Sequence, residues 1–160
     1  MAVSAFPALV DALVAQSAEV LPSGALPFDG FPTTDDDVDF VAFGIPSVDD
    51  AGLAFAGTSE QSWATIGQLA RDEAGTINCV AAARSTDETV KDARDRAFAI
   101  AEAVAGLCRT VNATTNAPNL GVETVLWVSY GGQTSAYQVV EEGQPVGYAV
   151  EFQIGYRARI

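Results

Sequence analysis

Four aspartates, Asp35, Asp36, Asp37 and Asp39, are the residues of the chain most suggestive of metal chemistry. Clustered carboxylates on an acidic loop supply the oxygen ligands that Ca²⁺ prefers. Their spacing, however, lacks the glycine and the distal bidentate glutamate of an EF-hand loop. The sequence therefore favours a solvated acidic turn over a cation site, and it predicts neither a bound metal nor another cofactor.

Catalytic side chains are difficult to assemble from this composition, because the chain contains no histidine. This absence excludes Ser-His-Asp and Cys-His nucleophiles and the commonest general base at neutral pH. Ser59, Ser62 and Ser129 have no partner base, and the glycines match no phosphate-binding or dinucleotide-binding pattern. Carboxylate pairs hydrolyse glycosides, but any chain with 21 acids contains such pairs by chance. We predict no catalytic residue and no enzyme activity.

The cysteines and tryptophans are better explained by packing. Cys79 and Cys108 lie 29 residues apart without a CxxC motif or histidine, which predicts two reduced core residues. Trp63 and Trp127 are expected in the core, with an interface as the alternative, since buried aromatic residues dominate contact energies. Trp63 is the candidate anchor for a partner contact.

The charge distribution narrows the range of partners. The chain has 21 acidic and 8 basic residues, a net charge of −13, and its first basic residue is Arg71. Such a surface repels phosphates and anionic lipids, so we expect neither specific nucleic-acid binding nor membrane association. The N-terminal segment lacks a positive region and carries Asp11 and Glu19, which predicts a soluble, intracellular protein without a signal peptide.

Hydrophobic periodicity predicts two helices and several strands in one α+β domain spanning residues 1–160. Apolar residues recur at helical spacing over about 4–20 and about 86–110, the second preceded by a possible Ser85/Glu88 capping box. Predicted strands occupy 25–29, 38–45, parts of 51–67, 76–85, 122–130, 134–142 and 146–160, with turns at 72–75, 131–132 and 143–145 and a loop at 112–121. The expected architecture is a mostly antiparallel sheet packed against the two helices.

The long C-terminal strand is a candidate subunit contact. Residues 146–160 alternate throughout, and at ~3.3 Å per residue they would span about 50 Å, beyond the usual strand of about 5–6 residues. Either a bulge near Gly147 or Gly155 interrupts the strand, or its end pairs with the sheet of a neighbouring subunit. The candidate interface residues are Phe152, Ile154, Tyr156, Arg157, Arg159 and Ile160.

The order of these parts resembles a known family. An N-terminal helix is followed by an acidic turn, SEQSWATIG, RDEAGTINCVAAAR, a long alanine-rich helix and a strand ending FQIGYRARI. This arrangement resembles, over nearly the whole chain, the tail terminator proteins of bacteriophages with long non-contractile tails, particularly those of actinobacterial hosts. The segments RDEAGTINCVAAAR and FQIGYRARI carry most of the resemblance.

The resemblance implies a structural protein of the virion, assembled in the host cytoplasm and located at the neck of the tail. Its subunits would form a hexameric ring that caps the head-proximal end of the tail tube and stops its polymerisation. The ring would contact the major tail tube protein below and the head connector or stopper above. Six copies at −13 each carry −78, and acids such as Asp35, Asp36, Asp37 and Asp39 would line a channel through which DNA passes without binding.

Three alternatives remain open. A head-completion or stopper protein has similar size and symmetry but is usually a helical assembly or a small β-barrel. An acidic DNA mimic needs its acids along one elongated face, whereas residues 71–160 carry only −3. An enzyme with an acidic site would reveal itself by metal-dependent hydrolysis.

Overall fold

The computed structural model describes residues 3–33, 38–48, 52, 54–64, 70–85, 89–140 and 146–160. Two helices confirm the predicted pair: α1 (Phe6–Val20) and α2 (Val90–Arg109). A proline at the start of α1 is compatible with the first turn, where its missing N–H is not needed. In the described part of the chain, neither helix combines the length and apolarity required to cross a membrane.

The start of α2 differs from the predicted cap. The carboxylate of Asp92 accepts hydrogen bonds from the Thr89 N–H (3.2 Å) and the Thr89 hydroxyl (2.8 Å), and this pair forms the capping box. Glu88, the expected capping partner of Ser85, lies outside the described residues. The helix therefore begins four residues later than the predicted boundary at residue 86.

The described strands form one large sheet and one small one. Their bounds are β1 (Leu26–Asp29), β2 (Phe40–Phe43), β3 (Ser47–Val48), β4 (Ala54–Phe55), β5 (Gly57–Trp63), β6 (Arg71–Arg84), β7 (Val125–Val139) and β8 (Gly147–Arg159). The large sheet has the order β1-β2-β6-β8-β7, with β5 also paired to β6, while β3 and β4 pair separately. All pairs except β1 with β2 are antiparallel. The α+β class is thus confirmed.

The long C-terminal strand lies inside the sheet. Strand β8 pairs with β6 from Gly147 to Arg159 without interruption, and with β7 on its other side. Both predicted explanations of its length are wrong: neither Gly147 nor Gly155 marks a bulge in it, and it does not leave the protomer. Strands β6 and β7 are themselves 14 and 15 residues long, and they provide backbone partners along its whole length.

Two predicted turns are strand instead. Residues 72–75 belong to β6, where Gly75 faces Tyr156: a Cβ there would lie 2.7 Å from the Tyr156 hydroxyl oxygen and 2.5 Å from the Thr58 carbonyl oxygen. Residues 131–132 belong to β7, where the register to β8 shifts between Gly131 and Ser135. Glycine marks close approach in the first case and a strand irregularity in the second. Residues 143–145 lie outside the described part.

The core lies between the helices and one face of the large sheet. Alternate residues of β6 and β8 supply its centre, including Ile77, Phe152 and Tyr156, and Phe152 stacks on Tyr130 with ring centroids 4.9 Å apart. Burying one such side chain contributes about 1.5–3 kcal/mol. Cys79 and Cys108 are free and buried here, as predicted. Burial raises the pKa of the Cys108 thiol to about 12, so the thiol stays protonated and unreactive.

Candidate assembly surface

The edges of the sheet are the candidate assembly surfaces, because an edge strand has backbone donors and acceptors without partners. In the large sheet, the described residues leave β1, β5 and β7 each with a neighbouring strand on one side only. Strand β8, the predicted subunit contact, has neighbours on both sides. Backbone pairing with another molecule is therefore available at these three edges and not at β8.

The edge at β1 is poorly suited to pairing. The strand has four residues, and its second residue is Pro27, which has no N–H to donate. Proline and short length are common protections of natural edge strands. This edge is consequently blocked against extended pairing.

The first part of β7 is covered by the loop at residues 112–121. The Val128 N–H points away from β8 and donates to the Pro118 carbonyl (2.7 Å). Asn119 holds the loop in place: its buried side chain accepts from the Gly121 N–H (3.1 Å). From α1, Gln16 Nε2 donates to the Leu120 carbonyl (2.6 Å). The predicted loop is confirmed, and it is ordered against its own chain.

In the part of the chain that the structure describes, the rest of β7 and all of β5 have no backbone neighbour on their outer side. Residues 131–139 of β7 contain no charged residue and no proline; Tyr137 among them is exposed, as is Val140 directly after the strand. Strand β5 is exposed along almost its whole length and carries one charge, Glu60. Among the described residues of the large sheet, these two edges are the ones left without a backbone neighbour or a proline.

Both tryptophans are more exposed than predicted. Trp63, in β5, is 63% exposed, and Trp127, in β7, is 40% exposed. The Arg71 guanidinium lies 4.9 Å from the centre of the Trp63 ring, in a cation–π arrangement. The predicted core positions are therefore wrong, while the exposure of Trp63 suits a partner contact.

The predicted interface residues of β8 divide into two groups. Phe152, Ile154 and Tyr156 are buried in the core of their own chain and have no surface to offer, which corrects the prediction for these three. Arg157 and Arg159 are exposed on the sheet face opposite the helices, and Ile160 exchanges backbone hydrogen bonds with Arg71.

Arg159 is used within the chain. Its Nε donates to Asp72 Oδ1 at 2.8 Å, and this bond holds the pKa of the Asp72 carboxyl below its usual value. Water screens an exposed ion pair of this kind, so it contributes little to stability. The pair aligns the ends of β6 and β8 more than it stabilises the fold.

Of the four candidate channel acids, Asp39 alone lies in the described residues; Asp35, Asp36 and Asp37 are outside them. Asp39 Oδ2 accepts from Arg96 Nε (2.8 Å), and Asp39 Oδ1 accepts from the Arg84 N–H (3.3 Å). The charge of Asp39 is thus compensated by a guanidinium, and its place in a channel stays a prediction. Asp39 connects the start of β2 to α2 and β6.

A buried carboxylate that the sequence analysis missed organises the start of α1. Glu73 is fully buried and accepts hydrogen bonds from Ser4 Oγ (2.5 Å), the Ala5 N–H (2.8 Å) and the Tyr156 hydroxyl (2.9 Å). Burial alone raises the pKa of Glu73, but these donors outweigh burial and lower it. The sequence contains a signal for this burial, because Glu73 lies four residues before Ile77 and residues at even spacing in a strand are on the same face of the sheet.

A shallow cavity of about 470 Å³ lies on the sheet face opposite the helices. Its lining is rich in amide and hydroxyl side chains, among them Asn78, Gln133, Ser135 and Gln153, and Glu151 is the carboxylate in it. The Tyr137 hydroxyl donates to Glu151 (2.7 Å), so this carboxylate is engaged. In the described part of the chain, no three potential ligands among His, Cys, Asp and Glu are grouped to hold a metal ion.

Comparison with known proteins adds no identity to this geometry. The sequence matches no known family profile and no curated protein. The described residues provide an extended sheet, two open strand edges that carry at most one charge each, and the exposed Trp63 at the end of β5.

Proposed function

We propose that the chain is a structural tail terminator of a phage with a long non-contractile tail. One observation carries the proposal: the two segments with the strongest resemblance, RDEAGTINCVAAAR and FQIGYRARI, form β6 and the end of β8. These strands pair side by side from Asp72 with Arg159 to Arg84 with Gly147. The resembling residues thus form one continuous structural unit at the centre of the fold.

The mechanism is one of shape. Copies of the chain associate around the head-proximal end of the tail tube, and the completed ring presents no further surface to which a tube subunit can bind. Its upper side receives the head connector or stopper. Because every copy carries −13, the assembled ring repels DNA phosphates, and the genome passes without binding. No bond-making step is involved, and the finished protein resides at the neck of the virion.

Deletion of the coding sequence from the phage genome tests this proposal. We expect lysates with tails of uncontrolled length and separate filled heads, as seen by electron microscopy, and restoration of normal particles when the wild-type gene is supplied from a plasmid. Tails of normal length joined to heads in the deletion would overturn the proposal.

The structure favours this function over two alternatives. An open six-stranded sheet with two helices differs from the helical assemblies and small β-barrels of head-completion and stopper proteins. Against a DNA mimic, Asp39, Asp72 and Asp95 are paired with arginine or lysine, which leaves fewer free charges to imitate phosphates. Recovery of a DNA-processing enzyme by the tagged protein, together with normal tails in the deletion, would instead support the mimic.

A further inference from the structure

The directions of the long strands allow the sheet to continue into another copy. Across β5, β6, β8 and β7, every neighbouring pair is antiparallel. Strand β7 consequently runs opposite to β5. If the β7 edge of one copy meets the β5 edge of the next, the new pair is antiparallel as well, and the alternation of strand direction is preserved.

The two open edges lie at opposite ends of the strands. Strand β5 pairs with residues 71–77 of β6, whereas residues 135–139 of β7 pair with 147–151 of β8, which lie beside residues 80–84 of β6. Joining the edges of two copies therefore displaces one copy along the strand direction. Closed sheets require such a stagger, which is accommodated by tilting the strands relative to the axis of closure.

Charge favours pairing between unlike edges. Two copies of β5 paired antiparallel about their centres would place Glu60 against Glu60, and like charges directly opposite are destabilising. Pairing β7 with β7 about a two-fold axis avoids this clash but leaves both β5 edges open. Pairing β5 with β7 places Glu60 opposite an uncharged strand and uses both edges of every copy.

From these observations we infer that copies of this chain join head to tail, with β5 of one copy pairing antiparallel to residues 131–139 of β7 in the next. The inference deepens the proposed function, on whose ring it rests, because a head-to-tail contact repeats and closes a ring when its rotation permits. When β5 and residues 131–139 of β7 are aligned centre to centre, Glu60 lies opposite Ser135 and Thr58 lies opposite Tyr137.

Cysteine cross-linking tests the pairing directly. Two full-length variants of different tag length, Glu60→Cys and Ser135→Cys, are mixed at high protein concentration and oxidised. Directly opposite residues have Cβ atoms about 4.5–5.5 Å apart, and the native cysteines are buried and do not compete. We expect the mixed disulfide to form at least several-fold more than either homodimer.

Two outcomes overturn the inference. Predominance of the Ser135→Cys homodimer indicates two-fold β7 pairing, and absence of every intermolecular disulfide in the mixture indicates that these edges do not meet. The gene deletion reports on the function separately: mixed disulfides together with normal tails in the deletion would retain the pairing and reject the terminator.

A proline variant separates backbone pairing from side-chain contact. In β8, the backbone N–H and C=O groups of odd-numbered residues point toward β7; the Arg159 N–H, which donates to the Thr124 carbonyl, is an example. Gln138 of β7 lies opposite Tyr148, an even-numbered residue, so the Gln138 N–H points away from β8. Gln138→Pro removes this donor without removing a bond to β8, and Gln138→Ala is the matched control that keeps it. We expect sedimentation to show loss of the oligomer in Gln138→Pro alone, with both variants folded by circular dichroism. Equal oligomer in both variants would contradict backbone pairing.

Discussion

At the scale of single residues, Glu73 connects parts of the chain that are far apart in sequence. Its carboxylate binds the two residues before α1 and the Tyr156 hydroxyl of β8. A carboxylate close to a helix N-terminus also interacts favourably with the helix dipole. The residue therefore fixes where α1 begins and how it sits against the sheet.

Replacing Glu73 with glutamine should destabilise the fold by about 1–3 kcal/mol, because one carboxylate acceptor becomes an amide donor facing buried donors. Urea unfolding at neutral pH measures the loss. Glu60→Gln, on the exposed β5 edge, is the control and should change the unfolding free energy by less than about 0.5 kcal/mol. Equal effects of the two substitutions would contradict the structural role of Glu73.

Glu73 and Tyr156 should limit the stability of the fold at opposite ends of the pH range. The pKa of Glu73 is lowered in the folded state, so its contribution to stability is complete above its ordinary value of about 4.5 and is lost as the pH falls further. Burial and the Glu73 carboxylate raise the pKa of Tyr156 to about 12. The contribution of Tyr156 to the stability of the fold is complete below about pH 10 and is lost as the pH rises toward 12.

Tyr156→Phe tests the alkaline limit. The variant should be less stable than the wild type at pH 8, and the difference should shrink between pH 10 and pH 12, since phenylalanine has no phenol to ionise. Unfolding free energies at several pH values check this. A constant difference across the range would show that Tyr156 does not titrate in a coupled way with unfolding.

At the scale of elements, the loop at 112–121 protects part of an edge strand. Asn119→Ala removes the buried side chain that holds the loop, so the Val128 amide should exchange hydrogen at least several-fold faster while β6 amides are unchanged. Hydrogen exchange followed by mass spectrometry measures this. Thr115→Ala, at an exposed position of the same loop, is the control, and unchanged exchange at Val128 in Asn119→Ala would contradict the assignment.

The elements also show which features local patterns predict. The apolar stripe of α2 and the alternation in β8 predict these two elements, and similar patterns elsewhere in the chain give the α+β class. Neighbours of a strand are set by long-range pairing, so the interior position of β8 and the edge positions of Trp63 and Trp127 had no local signal. Asp72 and Gly75 are turn formers by type, and their strand conformation follows from the contacts of Glu73 and Gly75 with Tyr156.

At the scale of the whole molecule, the net charge of −13 opposes association of identical copies. The paired edges proposed above carry one charge between them, so salt should screen the repulsion without weakening the contact. Raising the ionic strength from about 0.01 M to about 0.15 M shortens the screening length from about 30 Å to about 8 Å. Sedimentation velocity should then show a higher oligomer fraction, whereas association strongest at low salt would indicate a contact held by opposite charges.

The interior position of β8 has a consequence for biosynthesis. Synthesis proceeds from the N-terminus, so β6 leaves the ribosome long before the strand that will lie beside it. Until residues 147–159 have emerged, one side of β6 has no native neighbour and the Glu73 carboxylate lacks the Tyr156 hydroxyl. A nascent chain that stops before residue 147 therefore cannot complete the centre of its sheet, and the last strand to be made is the one that closes it.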